Sequence, residues 1–126
     1  MDSKLLAKKV VQLAWNKKGK DIMVMDLKKV MNVTDYFVII SGESDVHVKA
    51  LANHIEKELK KEQIELWHKE GFQQLKWVLM DYIDIVIHIF RPEIREFYNL
   101  EKLWADAKIT KIKDHAANPI LSETKN

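Results

Sequence analysis

Three side chains in the second half of the chain have the chemistry of metal ligands. Asp81, Asp84 and His88 supply two carboxylates and one imidazole close together in sequence, and such groups can converge on a divalent cation from neighbouring strands. Acidic residues at turns and a single histidine in a strand are also ordinary structural features. The sequence favours the structural interpretation, and we predict no bound metal and no cofactor.

Other reactive residues also lack the partners that catalysis needs. His47 and His54 are spaced to share one face of a helix, but no third metal ligand is marked near them. Ser41 and Gly42 precede a helix, yet the segment lacks the glycine and lysine pattern of a P-loop. Nucleophile-elbow, zinc-protease and dinucleotide-binding motifs are all missing. We therefore predict a binding protein and not an enzyme.

Composition narrows the class of protein further. The chain has 126 residues, is 47% hydrophobic and contains no cysteine, which suits one domain with one core in a reducing compartment. We find no signal-peptide pattern and no apolar stretch long enough for a bilayer, so a cytoplasmic location is predicted. The formal net charge is only +2, with basic residues scattered along the sequence. This argues against direct nucleic-acid binding.

Hydrophobic periodicity predicts eight elements in the order α-β-β-α-β-β-β-α. They are a helix that ends near Gly19, strands at 22–27 and 36–40, a helix after Ser44, strands at 64–68, 75–81 and 84–90, and a helix after Pro92. This order predicts an α/β (α+β-like) fold, with a mixed sheet of about five strands and packed helices. Residues 1–106 form the predicted domain, and residues 107–126 a weakly ordered tail.

The last two predicted strands lie close enough to form an antiparallel hairpin. A tight turn at Tyr82 and Ile83 would place Trp77 opposite His88 and Asp81 opposite Asp84. Both faces of this hairpin are largely apolar, and two long helices can cover only one face well. We therefore expect the face bearing Trp77 to bind a protein partner, although a tryptophan in a strand also suits a core.

Several segments together resemble one known family. They are TDYFVIISG at 34–42, HVKA at 47–50, WVLMDY at 77–82, VIHIF at 86–90 and FYNLEKLWAD at 97–106. In this order and spacing they are similar to the ribosome silencing factor family, also called the Iojap family. The resemblance runs from the first helix to about residue 106.

The resemblance implies a nucleotidyltransferase-like fold without nucleotidyltransferase activity. That activity needs a Gly-Ser followed by a closely spaced acidic pair, whereas this chain has Ser41-Gly42 and the wider pair Asp81 and Asp84. Family members bind ribosomal protein fourteen of the large subunit on a surface that faces the small subunit. The implied function is therefore to block subunit joining and so repress translation when nutrients are scarce.

The resemblance also implies which residues contact the partner. Carried over by position, they are Trp77, Leu79, Asp81 and Tyr82, with Val86 and His88 beside them and His47 and Lys49 at the rim. Ile83 stands where the family usually has glycine, which puts the turn geometry in question. Two alternatives stay open: a metal-dependent nucleotidyltransferase-like enzyme using Ser41, Asp81 and Asp84, and a homodimer of the free protein formed through the Trp77 face.

Overall fold

A six-stranded mixed sheet forms the centre of the protein. The computed structural model describes residues 2–113. Its elements are α1 (Ser3–Asn16), β1 (Lys20–Asp26), β2 (Tyr36–Ser41), α2 (Asp45–Lys61), β3 (His68–Glu70), β4 (Trp77–Asp81), β5 (Ile85–Phe90), α3 (Pro92–Tyr98), α4 (Leu100–Leu103) and β6 (Lys108–Lys111). The strand order is β3-β4-β5-β2-β1-β6, in which only β2 and β5 run parallel. The predicted mixed sheet with packed helices is confirmed.

The two long helices cover one face of the sheet, and capping residues define where they begin. The Asp2 carboxylate accepts a hydrogen bond from the Leu5 amide at 2.8 Å, and the Ser44 hydroxyl accepts one from the His47 amide at 3.1 Å. Both helices bury a stripe at helical spacing against the sheet, which for α2 consists of Val48, Leu51, Ala52, Ile55 and Leu59. This face holds the larger part of the core. No helix within residues 2–113 is both long and apolar enough to cross a membrane.

The other face of the sheet is covered only in part. A smaller cluster there includes Met25, Phe37, Ile39 and Phe90, over which Leu100 of α4 packs. Helix α3 buries none of its residues, so it covers this face loosely. The sheet therefore has one closed face and one partly open face, as the hairpin pattern predicted.

The β4–β5 hairpin differs from its predicted register. Asp81 pairs with Val86, and Trp77 pairs with Phe90, so the turn centres on Ile83 and Asp84. The Asp84 amide donates to the Tyr82 carbonyl at 2.9 Å, and Ile83 adopts a positive φ of 75°. The predicted apposition of Asp81 with Asp84 is therefore wrong. The predicted turn at Tyr82 and Ile83 is thus shifted by one residue, and Ile83 takes a conformation that β-branched residues rarely adopt.

The third predicted strand lies further along the chain than its pattern indicated. Residues 64–68 alternate in hydropathy, but only His68–Glu70 pairs with β4. Ile64 and Leu66 pack instead against the helix-covered core. The alternation therefore reflects side-chain packing beside the end of α2 and not a strand ladder.

The structure adds a sixth strand inside the segment predicted to be a weakly ordered tail. Lys108–Lys111 pairs antiparallel with Met23 to Asp26 of β1, and the Ile112 amide donates to the Ile22 carbonyl at 2.9 Å. The prediction of a weakly ordered tail is wrong over these residues. Backbone pairing with β1 orders this short segment, whose side chains show no clear strand pattern in the sequence. Residues 114–126 of the predicted tail lie outside the described residues.

Candidate partner-binding surface

Aromatic rings form a continuous layer on the partly open face of the sheet. Trp77 lies 4.8 Å from both Phe90 and Tyr98, measured between ring centroids. The His88 ring lies 4.5 Å from Phe37 in an edge-to-face arrangement. We call these five residues the aromatic face. Strands β2, β4 and β5 and helix α3 each contribute to it.

A hydrogen bond orients the central tryptophan. The Trp77 indole Nε1 donates to His88 Nδ1 at 3.1 Å, so the proton of the neutral imidazole resides on Nε2. His88 is only 4% exposed, and this burial lowers its pKa to about 3. His88 is therefore neutral near pH 7, and its role is to position Trp77.

Burial of a neutral His88 makes the stability of the protein depend on pH. In the unfolded chain the imidazole binds a proton below its ordinary pKa of 6.5, whereas in the folded chain it does so only near pH 3. The unfolded state thus binds more protons between these values, and the free energy of unfolding falls as the pH drops below 6.5. We expect a slope of up to about 1.4 kcal/mol per pH unit.

Urea unfolding between pH 5 and pH 7 measures this slope. His88→Gln should remove most of it, leaving the smaller contribution of His54, whose pKa burial also lowers. His68→Gln is the matched control for replacing a histidine, because His68 is exposed and its ring bonds the Glu70 carboxylate at the surface. The slope should fall further in His88→Gln than in this control. An unchanged slope in His88→Gln would show that another group carries the pH dependence.

Aliphatic side chains and a groove extend the aromatic face. Leu79 is half-buried beside His88, its partner in the β4–β5 ladder, and Val86 is buried on the same face. A groove of about 590 Å³ opens between α3 and the loop before β4. Its apolar lining consists of Phe72, Trp77, Ile94 and Tyr98. Trp77 and Leu79 thus share one accessible surface with this groove, and Val86 and His88 lie buried beneath it.

Helix α3 contributes residues that the site prediction left out. Phe97 is 78% exposed and lies 5.0 Å from Tyr98 in an edge-to-face contact. Helix α3 has no buried residue: Ile94 is only half-buried against the sheet, and Phe97 faces outward.

Two residues of the predicted site have structural roles in the hairpin turn. The Asp81 carboxylate accepts a hydrogen bond from the Ile83 amide at 2.7 Å, which holds the turn. Tyr82 is 6% exposed and belongs to the helix-covered core, where burial raises the pKa of its hydroxyl. Tyr82 therefore does not lie on the aromatic face, and its predicted position there is corrected.

The two predicted rim residues lie on the opposite side of the sheet. His47 and Lys49 belong to α2, which covers the other face. The Glu43 amide donates a hydrogen bond to His47 Nδ1 at 3.0 Å, and His47 Nε2 donates one to the Lys17 carbonyl at 2.8 Å. His47 thus joins the end of α1 to the start of α2, and neither residue borders the aromatic face.

The residues of the alternative enzyme site are far apart. Ser41 ends β2, whereas the Asp84 carbonyl bonds the Tyr36 amide at the beginning of β2. The two ends are about 16 Å apart at about 3.3 Å per residue. The Ser41 hydroxyl accepts a hydrogen bond from Arg95 at 2.8 Å. Within residues 2–113, no group of three or more His, Asp or Glu side chains could hold a metal.

Comparisons with known proteins agree with the resemblance seen in the sequence. Residues 1–126 match the family described as "Ribosomal silencing factor during starvation". The Bacillus subtilis protein named "Ribosomal silencing factor RsfS" is 38% identical over 109 residues, covering 86% of this chain and 92% of that protein. The Mus musculus "Mitochondrial assembly of ribosomal large subunit protein 1" is 39% identical over 98 residues, covering 75% of this chain and 43% of that protein.

A solved structure agrees at the level of the fold. The crystal structure of a Chromobacterium violaceum protein matches with a TM-score of 0.81 and 30% sequence identity, covering 94% of this chain and 96% of that chain. The names of the sequence relatives describe silencing and ribosome assembly and not an enzymatic activity. The chain belongs to the ribosomal silencing factor family.

Proposed function

We propose that this protein binds ribosomal protein fourteen of the large ribosomal subunit through the aromatic face and thereby blocks joining of the small subunit. Binding at a surface that the small subunit must contact would obstruct joining by steric exclusion. Translation would fall as free large subunits become occupied, which suits a repressor that acts in the cytoplasm under nutrient limitation. No cofactor enters this mechanism.

The observation that carries the proposal is an accessible tryptophan in an apolar surface. Trp77 and Leu79 are half-buried on the open face, and Trp77 is held in place by His88 and Phe90. Tryptophan is enriched among the residues that dominate binding energy at protein interfaces. A pre-oriented ring also loses little conformational entropy on binding. These properties favour a protein partner over a small-molecule substrate.

The names of the relatives support the choice of partner. The Bacillus subtilis protein is named as a ribosomal silencing factor, and the Mus musculus protein is named for assembly of the ribosomal large subunit. Both names connect the family with the ribosome, and the second specifies the large subunit. The assignment to ribosomal protein fourteen comes from the resemblance of the hairpin motifs to the family.

A charge placed on the aromatic face tests the proposal. We expect the wild-type protein to sediment with purified large subunits in a sucrose gradient and to reduce the peak of joined ribosomes. Leu79→Glu should do neither, because a carboxylate would have to be buried at the interface. Val46→Glu is the matched control, since Val46 is 78% exposed on α2 and receives the same charge change.

The outcomes of the gradients separate the alternatives. If the wild-type protein leaves subunit joining unchanged, the proposed function is wrong. If Leu79→Glu and Val46→Glu behave alike, a surface other than the aromatic face carries the activity.

A second copy of the chain is an alternative occupant of the same face. A homodimer formed through Trp77 would have to dissociate before the ribosome is bound. In that case, silencing per protomer would weaken as the protein concentration rises. Analytical ultracentrifugation of the free protein over the same concentrations would reveal the dimer directly.

A further inference from the structure

The first helix and the turn after it carry only basic charges. Residues 3–20 contain six lysines and no acidic residue: Lys4, Lys8, Lys9, Lys17, Lys18 and Lys20. In the linear sequence the basic excess looks slight, because acidic residues are frequent elsewhere. The fold gathers these lysines on the helix-covered side of the sheet, away from the aromatic face.

The turn after α1 presents its lysines on a fixed backbone. The Gly19 amide donates to the Ala14 carbonyl at 2.8 Å, and the Lys18 amide donates to the Trp15 carbonyl at 2.9 Å. These two bonds form a Schellman motif, in which Lys18 takes a positive φ of 63°. Lys17, Lys18 and Lys20 form no ion pair within 4.0 Å to any residue between 2 and 113. None of these three charges is therefore neutralised by a direct ion pair within the described residues.

The adjacent part of α2 adds to the positive potential. Burial lowers the pKa of His54, and the neighbouring charges of Lys17, Lys57 and Lys61 lower it further, while Glu58 opposes them. Lys17 in the turn and the α2 lysines thus act on the same imidazole, that of His54. We call the three lysines of the turn after α1, Lys17, Lys18 and Lys20, the lysine cluster.

An aromatic ring lies beside this cluster. Trp15 is half-buried and lines a cavity of about 440 Å³ together with Asn16, Lys18, Gly19 and Lys20. A ring of this kind can stack with a nucleobase, while lysines around it contact the phosphates of the same strand. The Asn16 amide oxygen accepts a hydrogen bond from Gln12 at 3.0 Å, and its amide nitrogen can donate to a base edge.

We propose that the lysine cluster and Trp15 form a second binding surface, which contacts single-stranded RNA. The lysines contact the phosphates, and one base stacks against Trp15. We prefer RNA to an acidic protein because a base can stack in the aromatic cavity beside the cluster. A row of carboxylates would contact the lysines but would leave this cavity unused. The proposal goes beyond the silencing function and does not depend on it.

Binding of fluorescein-labelled oligouridine by the full chain tests the proposal, with fluorescence anisotropy as the readout. The variant Lys17→Gln/Lys18→Gln/Lys20→Gln should weaken binding at least about tenfold. It should also lower the slope of log affinity against log salt by about 2, since each phosphate contact on a single strand contributes about 0.7. The matched control Lys29→Gln/Lys102→Gln/Lys108→Gln has the same net charge and should change affinity less than about twofold.

Trp15 variants test the stacking contact separately. Trp15→Leu should weaken binding about fivefold or more, and Trp15→Phe should retain most of it. Urea unfolding of each variant separates loss of binding from loss of fold. A binding loss in Trp15→Leu without any rescue by Trp15→Phe, at equal stability, contradicts the stacking step.

Three results would overturn the proposal: no salt-dependent binding by the wild-type protein, equal losses in the cluster variant and its matched control, or equally effective competition by polyglutamate. The last result would identify a general polyanion surface. Binding to RNA should persist in Leu79→Glu, whose defect is confined to the aromatic face. If the protein silences ribosomes but does not bind oligouridine, the proposed function stands and only the RNA-binding proposal is wrong.

Discussion

Replacing Trp77 with alanine should weaken binding to the large ribosomal subunit by about thirtyfold or more. Truncation of a tryptophan at the centre of an interface costs about 2 kcal/mol or more, and a loss of 1.4 kcal/mol is tenfold in affinity. Trp77 lies at the centre of the aromatic face, with Phe90 and Tyr98 on either side. Titration of labelled protein with purified large subunits measures the dissociation constant.

Trp67→Ala is the matched control for this substitution. Trp67 is 67% exposed and precedes His68, which pairs with Asp81. Alternation along the strand places Trp67 on the opposite face from these two residues. We expect its loss to change the dissociation constant less than about twofold. Equal losses in both variants would show that Trp77 does not anchor the partner.

Trp77→Phe separates the ring from its hydrogen bond. Phenylalanine keeps an aromatic surface against Phe90 but cannot donate to His88 Nδ1. The variant should bind more weakly than the wild-type protein and more tightly than Trp77→Ala. An affinity equal to that of the wild-type protein would mean that the orientation imposed by His88 does not contribute.

Replacing Gly71 with alanine should lower the free energy of unfolding by about 2 to 4 kcal/mol. Gly71 has a φ of +87°, and a Cβ atom there would collide with the Trp77 carbonyl oxygen. The clash involves backbone, which cannot rotate away as a side chain can. The melting temperature should fall by about 10 °C, and the loop before β4 should shift against Trp77.

Gln74→Ala, in the same loop, provides the control for Gly71→Ala. Gln74 is exposed, so its truncation should change stability by no more than about 0.5 kcal/mol. Urea unfolding monitored by circular dichroism compares the two variants. If Gly71→Ala were as stable as Gln74→Ala, the loop would have to relax without strain.

The faces of the hairpin could be predicted from the sequence even though its register could not. The observed pairing differs from the predicted one by two positions, since Trp77 lies opposite Phe90 and not His88. Side chains alternate with a period of two, so a two-residue shift leaves every side chain on its original face. The open apolar face was therefore predicted correctly from the wrong pairs.

The turn and the site boundary could not be predicted for separate reasons. Ile83 adopts a backbone conformation that favours glycine. Its own residue type did not indicate a positive φ, although the glycine that the family usually has there pointed to the turn. Tyr82 was assigned to the site together with its motif. Alternation along the strand puts its side chain on the face opposite Trp77, in the helix-covered core. His47 and Lys49 required the packing side of α2 to be known, which periodicity alone does not specify.

The sixth strand was hidden in a charge-rich segment. Lys108–Lys111 has one isoleucine and one threonine between two lysines, and its order depends on backbone pairing with a strand far earlier in the chain. Lysines on a sheet edge also discourage pairing with another molecule. The composition that suggested a tail is thus compatible with an edge strand.

The position of β6 has a consequence for the chain during its synthesis. Strand β1 pairs with β2 on one side and with β6 on the other, yet β6 is the last strand to be made within residues 2–113. Until Lys108–Lys111 has been translated and released, β1 exposes a free edge with Met23, Val24 and Met25 in sequence. Such edges promote association between incomplete chains. We therefore expect a nascent copy of this protein to remain prone to association through the edge of β1 until β6 has emerged.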